Sequence, residues 1–282
     1  MVKWALITLL AAALTTAWRI VIRKAKDNGN DIAFTIIADS AGALTMLLFI
    51  PFFGLNFPSN SSIWVLLLLS GAIVAISDFL LIYSTKNADL ADTSIMMPLS
   101  NVFILISSYI FLDEEINTQK YISVFLIVLG SIVCLYKGKK LYINKGVLAA
   151  ILYGIVVSIN FTIDKGISDQ FPLPVYGALI YGISAIFLFS ILLRNKLKTI
   201  RNEIKLQKKI PFQVGIIWGL FSLTVLVAYT YGDASQVIPF MRIFIVAITL
   251  YSIFILKEKE RLYQKLIGAL LVTIGAIVLA YS

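Results

Sequence analysis

The chain has 282 residues, of which 60% are hydrophobic and 14% charged, against about 25% charged in an ordinary soluble domain. That balance describes a polytopic membrane protein, and the net charge of +9 sits in short connections between apolar runs, which fits membrane topology better than nucleic-acid binding. One cysteine, Cys134, and no histidine exclude an intramolecular disulfide, Cys or His metal ligation, His-based triads and His proton relays.

A helix needs about 20 apolar residues to cross the hydrocarbon. The first run, 3–22, has the look of a signal peptide in "MVKWALITLLAAALTTAW". It is too long for a signal core, and no small-residue cleavage site precedes "RIVIRKAK", so it is read as a retained first span. Nine further spans follow at 31–52, 62–85, 91–112, 119–136, 145–165, 173–193, 211–231, 235–256 and 262–281. The connections hold the turn formers and charges, such as "KDNGND", "NFPSNSS" and "KEKERLYQ". The longest, 194–209, reads either as an amphipathic interfacial helix or as a solvated basic loop.

The chain repeats itself. "ADTSIMMPLSNVFIL" (91–105) parallels "GDASQVIPFMRIFIV" (232–246), with Pro98 matching Pro239 and Asn101 matching Arg242. An acidic cluster follows each run, Asp113-Glu114-Glu115 or Glu258 with Glu260, and then a helix with a central glycine, Gly130 or Gly275. "WRIVIRKA" (18–25) parallels "INFTIDKG" (159–166), pairing Arg19 with Asn160 and Lys24 with Lys165. The reading is two halves, 1–142 and 143–282, of five helices each. An odd number of helices per half inverts one half relative to the other, a frequent plan for secondary transporters.

This pattern resembles the EamA-like exporters of the drug/metabolite transporter superfamily. The residues that carry the likeness are "SINFTIDKG", "ADTSIMMPL", "DASQVIPF", the acidic residues after those helices and "LIGALLVTIGAIV", in an order that covers nearly the whole chain. The resemblance implies an all-α membrane protein with ten transmembrane helices in two inverted five-helix repeats around a central cavity, moving small metabolites such as amino acids without ATP. It also implies that Trp18 matches the family's helix 1 tryptophan. Two departures stand out. Asp39 occupies a helix where members often carry arginine. Members also keep both termini in the cytoplasm, whereas here 19 of the 22 Lys and Arg other than Arg19 and Arg242 lie in connections 1–2, 3–4, 5–6, 7–8 and 9–10. The positive-inside rule then places both termini outside.

Charges within the hydrocarbon cost about 2.5–3.5 kcal/mol each on insertion scales, so they face a cavity or a partner. Four qualify: Arg19, Asp39, Asp78 and Arg242. Asp39 and Asp78 read as substrate-amine or proton sites, with a fixed ion pair to an arginine as the packing alternative. Arg19 either enters the site or snorkels beside Arg23 and Lys24. Arg242 reads as the holder of a substrate carboxylate, since the guanidinium fork suits bidentate binding. Its packing alternative is a permanent bridge to Asp39 or Asp78. Asn101 and Asn160 read as interhelical hydrogen-bonding residues that the repeat symmetry directs, with the arginines, to one axis. Tyr83, Tyr181, Trp218 and Tyr229 read as packing or belt aromatics. Pro98 and Pro239 each deprive a carbonyl of its donor and suit kinked gate helices. Gly215 and Gly219 form a GxxxG packing motif, and the acidic clusters read as solvated helix ends.

The functional reading is a secondary transporter, not an enzyme, in the cytoplasmic (inner) membrane, moving an amino acid or similar zwitterion by alternating access, as an exporter. No phosphate-binding loop is present, so gradients or exchange supply the energy. No cofactor is expected. The partners are a small-molecule substrate, the lipid bilayer and protons as candidate coupling ion, with no nucleic acid, and the protein is a monomer or homodimer. The alternatives are a small organic cation, polyamine or drug transporter using Asp39 and Asp78, or a membrane scaffold or embedded enzyme without transport.

Overall fold

The computed structural model describes residues 2–26, 28–103, 106, 117–137, 140–192, 195–231, 237 and 240–280, with backbone only at Val2, Lys165, Tyr229 and Ala280. The helices are α1 (Val2–Arg23), α2 (Asp31–Leu47), α3 (Ser61–Asn87), α4 (Leu90–Met96), α5 (Thr118–Leu135), α6 (Lys145–Ile167), α7 (Leu173–Ile191), α8 (Lys196–Gln207), α9 (Ile210–Tyr229), α10 (Phe244–Phe254) and α11 (Leu262–Ala280). A single turn, Ile50–Phe53, follows α2, and Tyr136–Lys137 pairs antiparallel with Lys140–Leu141 between α5 and α6.

Polar residues of the connections start the helices. The side chains of Asn30, Asn60, Asn117 and Asn144 accept from Ala33 N, Ser62 N, Lys120 N and Val147 N, capping α2, α3, α5 and α6. Proline opens α7 and α9 at their first turn. Residues 194–209 contain the amphipathic helix α8 rather than an open loop. Asn195 (φ 61°) and Lys208 (φ 54°) bracket it in the left-handed region and turn the chain at both ends.

Among the described residues, seven helices are long and apolar enough to cross a membrane: α1, α3, α5, α6, α7, α9 and α11. The sequence predicts ten spans. Of the other three, 31–52 is helical only to Leu47 before it turns at Leu48, so α2 has 17 residues. The spans 91–112 and 235–256 each include residues outside those described.

The exterior is apolar, with Leu6, Leu48, Val65, Phe125, Ile186 and Phe254 among the exposed residues, while Arg19, Asp39 and Arg242 are buried. Close crossings depend on glycine. A Cβ added at Gly215 would stand 2.0 Å from the Ala38 carbonyl oxygen, and one at Gly219 would stand 2.7 Å from Thr45 Cβ, so the GxxxG motif lays α9 along α2. Gly130 and Gly268 meet each other's carbonyl oxygens, while Gly275 meets Ser123. That order runs α5 and α11 antiparallel. Asp39 with Ser184 and Met46 with Gly177 do the same for α2 and α7. The main packing pairs are α5 with α11, α3 with α6, α1 with α9, α2 with α7 and α9, and α3 with α7.

One face of the bundle gathers the basic connections. Arg23 pairs with Glu258 at 3.0 Å, Lys265 with Asp89 at 2.6 Å, Lys86 with Asp31 at 2.5 Å, and Arg261 with Asp92. Glu258 also accepts from Leu90 N at 3.0 Å and from Ser252, so it is a partly buried link and not the solvated end expected from sequence. Glu260 is exposed and pairs with Lys137, whose charge and hydrogen bond hold its carboxyl below the usual glutamate range. The cluster Asp113-Glu114-Glu115 lies outside the described residues. The polar face of α8 docks here too: Gln207 accepts from Lys26 N at 2.8 Å and Glu203 from Asn30 N at 2.7 Å.

Candidate functional site

The site lies where two interrupted helices face each other. Residues 97 and 98 break the helix after α4. Ser100 N and Asn101 N bond three residues back, to Met97 O and Pro98 O, at 3.0 and 2.9 Å. Proline has no N–H to continue the ladder, which accounts for a break there. The backbone is equally loose around Arg242, where Ile243 N and Ile245 N bond to Phe240 O and Arg242 O, again three residues back. Pro239 itself lies outside the described residues. The two arms are joined across the break: Arg242 Nη2 donates to Ser100 Oγ at 3.2 Å and to Asn101 Oδ1 at 3.3 Å.

Arg19 is fully buried and does not snorkel. Its guanidinium donates to Thr93 Oγ1 at 2.7 Å and contacts Met97 Sδ, both on α4 or its break, and lies 5.5 Å from the Trp18 ring. Trp18 meets Trp218 edge-on at 5.7 Å, and Trp218 stacks on Tyr181 at 6.4 Å. The two arginines lie close enough to repel each other.

On the other side, Asp39 accepts from Ser184 of α7 and lies within the field of Asp78 on α3. No ion pair joins Arg19 or Arg242 to Asp39 or Asp78 among the described residues, so the fixed bridges weighed from sequence are not formed. Between the poles stand two tyrosines. Tyr153 of α6 feels Arg242, Asp78 and Arg19, and Tyr181 feels Asp78 and Asp39 while bonding Ser222 at 2.6 Å. Within the site, the buried polar atoms left without a hydrogen-bond partner among the described residues differ by pole. Trp18 Nε1 and Arg19 Nε are donors at one, and Asp39 Oδ1 and Asp78 Oδ2 are acceptors at the other.

The structure thus brings together Arg19, Arg242, Trp18, Asn101, Asp39 and Asp78. It places Asn160 elsewhere: Asn160 bonds Ser70 and Asp164 near the far end of α6, because Asn cannot reach as an arginine does from the matching position of α1. Tyr153 and Asp164 went unnoticed in the sequence. Both lie on the Asn160 face of α6, seven residues before it and four after, the spacing that signals one helical face. Tyr83 meets the ring of Phe79, one turn back on α3, at 6.0 Å.

No curated protein matches the chain. One solved structure, titled "Crystal structure of protein", covers 92% of this chain and 98% of its own at 14% identity, with a TM-score of 0.48. The EamA-like transporter family matches residues 2–136 and, a second time, residues 144–281. Buried charges grouped at paired helix breaks inside an apolar shell suit that match, and the chain belongs to the EamA-like transporter family of the drug/metabolite transporter superfamily, as a multi-pass integral membrane transporter.

Proposed function

We propose that the protein moves an amino acid or similar zwitterion across the cytoplasmic (inner) membrane, as an exporter, by alternating access of two inverted five-helix repeats, 1–142 and 143–282. The observation that carries this reading is the sorting of unpartnered donors and acceptors into two poles. A substrate carboxylate meets Arg19, Arg242 and Trp18 Nε1, and a substrate ammonium meets Asp39 and Asp78. One ligand with both charges satisfies both sets, which removes the penalty of leaving buried polar groups unpaired. Broken helices at Pro98 and Arg242 open backbone groups beside the ligand, the usual construction of a midplane transport site. Antiparallel crossing of α5 with α11 and of α2 with α7 supports the inverted plan with ten spans. The basic face is cytoplasmic by the positive-inside rule, so both termini lie outside. An alkaline phosphatase fusion at Ser282 tests that: activity is expected, and a cytoplasmic, inactive fusion refutes it.

The test of the substrate class is counterflow in proteoliposomes with a panel of labelled amino acids beside labelled polyamines. Amino-acid exchange is expected. Exchange of polyamines alone refutes the zwitterion reading and favours the small-cation alternative, to which the neighbouring carboxylates of Asp39 and Asp78 lend themselves. No exchange of either refutes transport of both classes.

A further inference from the structure

A second polar cluster lies away from the central site, where α3, α6 and α7 meet. Ser70 Oγ stands 2.7 Å from Asn160 Oδ1 and 2.6 Å from Asp164 Oδ1. Asn160 Nδ2 stands 2.7 Å from Asp164 Oδ2, and the Tyr176 hydroxyl donates to Asp164 Oδ1. Each of these four contacts needs one proton. Ser70 has a single hydroxyl proton, Tyr176 has one, and the amide supplies one to its contact with Asp164. With Asp164 ionised, three protons serve four contacts, and two oxygens face each other at hydrogen-bond distance with nothing between them.

The deficit does not depend on how the amide is turned. With its nitrogen towards Ser70, the amide donates to Ser70 Oγ, Ser70 donates to Asp164, and the amide oxygen then faces Asp164 Oδ2 with no proton. One proton on Asp164 closes the count in either arrangement. The surroundings agree. Asp164 faces Ser70 from α3, Tyr176 from α7 and Asn160 from its own helix, and the turn Ser168–Gln170 adds Asp169, which is exposed. Among the side chains described, which do not include that of Lys165, no Lys, Arg or further carboxylate acts on it. Phe171 lies 5.8 Å from Tyr176 and 5.6 Å from Trp64, so aromatic rings stand beside the cluster at the end of the bundle opposite the basic face.

We infer that Asp164 is a proton-binding site and that its proton is the coupling ion of transport, the second clause resting on the proposed transport reading. Ionisation breaks the carboxylic O–H bond, leaves the electron pair on Asp164 and passes the proton to water. The contact that has lost its proton must then open, and with it the junction of α3, α6 and α7. Each of those helices also carries a part of the central site: Asp78 on α3, Ser184 holding Asp39 on α7, and Tyr153 on α6. They lie seven or eight residues from Ser70, Tyr176 and Asn160, a rise of about 12 Å. A change of charge at Asp164 is therefore delivered to the substrate site through three rigid helices.

Infrared difference spectroscopy of the full chain in nanodiscs, between neutral and alkaline pH, reads the proton directly. The wild type is expected to show a carboxylic-acid carbonyl band that Asp164→Asn removes and Tyr176→Phe shifts. An Asp164→Asn spectrum identical to wild type in that region overturns the proton site. Should Asp164→Asn fail to fold, Ser70→Ala removes the contact that creates the deficit, and the band then titrates at lower pH. An unmoved band overturns the inference. In proteoliposomes with the amino-acid panel, Asp164→Asn is expected to keep counterflow and lose accumulation driven by a pH gradient; accumulation that persists overturns the coupling role. A wild type without any counterflow is a failure of the transport reading, and the infrared band still decides the proton site.

Discussion

Arg242→Gln separates a ligand-holding arginine from a structural one. The side chain is 4% exposed, and its bonds to Ser100 and Asn101 are 3.2 and 3.3 Å long, beyond the usual length of about 2.9–3.0 Å. Losing them costs the fold about 1.5 kcal/mol each, the low end for bonds from a charged donor. Against that, the variant removes repulsion from Arg19 and an insertion penalty of about 2.5–3.5 kcal/mol. From these contributions stability is expected to stay near that of the wild type. The substrate carboxylate, by contrast, loses a hydrogen bond to a charged group, worth about 1.5–3 kcal/mol, so affinity falls about 10- to 150-fold. Arg242→Lys keeps the charge without the fork and falls between. Amino-acid counterflow gives the affinity and thermal unfolding in detergent gives the stability. A Gln variant with wild-type affinity refutes the reasoning, and so does an affinity loss that Asp78→Asn or Asp39→Asn restores, because then Arg242 only balances a charge.

Further outcomes follow from the packing and the ion pairs. Gly215→Val should destabilise by about 1–3 kcal/mol or more, since its Cβ meets the Ala38 carbonyl. Gly182→Ala, with open space at the same point, should be neutral. Equal melting temperatures for the two would contradict the crossing. Asp89→Asn should destabilise more than Lys265→Met, because the first leaves a fully buried ammonium without its carboxylate while the second strands a carboxylate that is 29% exposed. Chemical denaturation in mixed micelles ranks them. Glu260→Gln should change stability by no measurable amount, being an exposed pair. Any residual difference belongs to neutral pH and vanishes on acidification, as expected for a carboxyl whose ionised form the fold favours.

How far the sequence could be read depended on whether a feature is local. The GxxxG motif and seven of the ten apolar runs are local, and they emerge as read; a helix break also falls at Pro98, while Pro239 lies outside the described residues. The grouping of Arg19, Arg242, Asp39 and Asp78 was legible because charge in hydrocarbon is conspicuous wherever it falls. Glu258 was misread as solvated because its partners Arg23 and Leu90 come from the other half of the chain. Asn160 was drawn to the wrong cluster because repeat symmetry aligns backbones, while a short amide and a long guanidinium end in different places. Asp164 carries no signal of its own in the sequence, and only the approach of Ser70, 94 residues away in sequence, reveals it.

The pairing of helices across the repeat boundary has a consequence for biogenesis. α1 lies on α9, α2 on α7 and α9, α3 on α6 and α7, and α5 on α11, so among the described residues the first half finds few of its contacts within itself. As it leaves the ribosome it enters the bilayer before its partners exist. Asp39 has yet to meet Ser184, and Asp92 has yet to meet Arg261. Lipid offers no hydrogen bonds to such groups, so the nascent half must be sheltered by the insertion machinery until the second arrives. Translated as two separate polypeptides, the halves should be recovered together or degraded together.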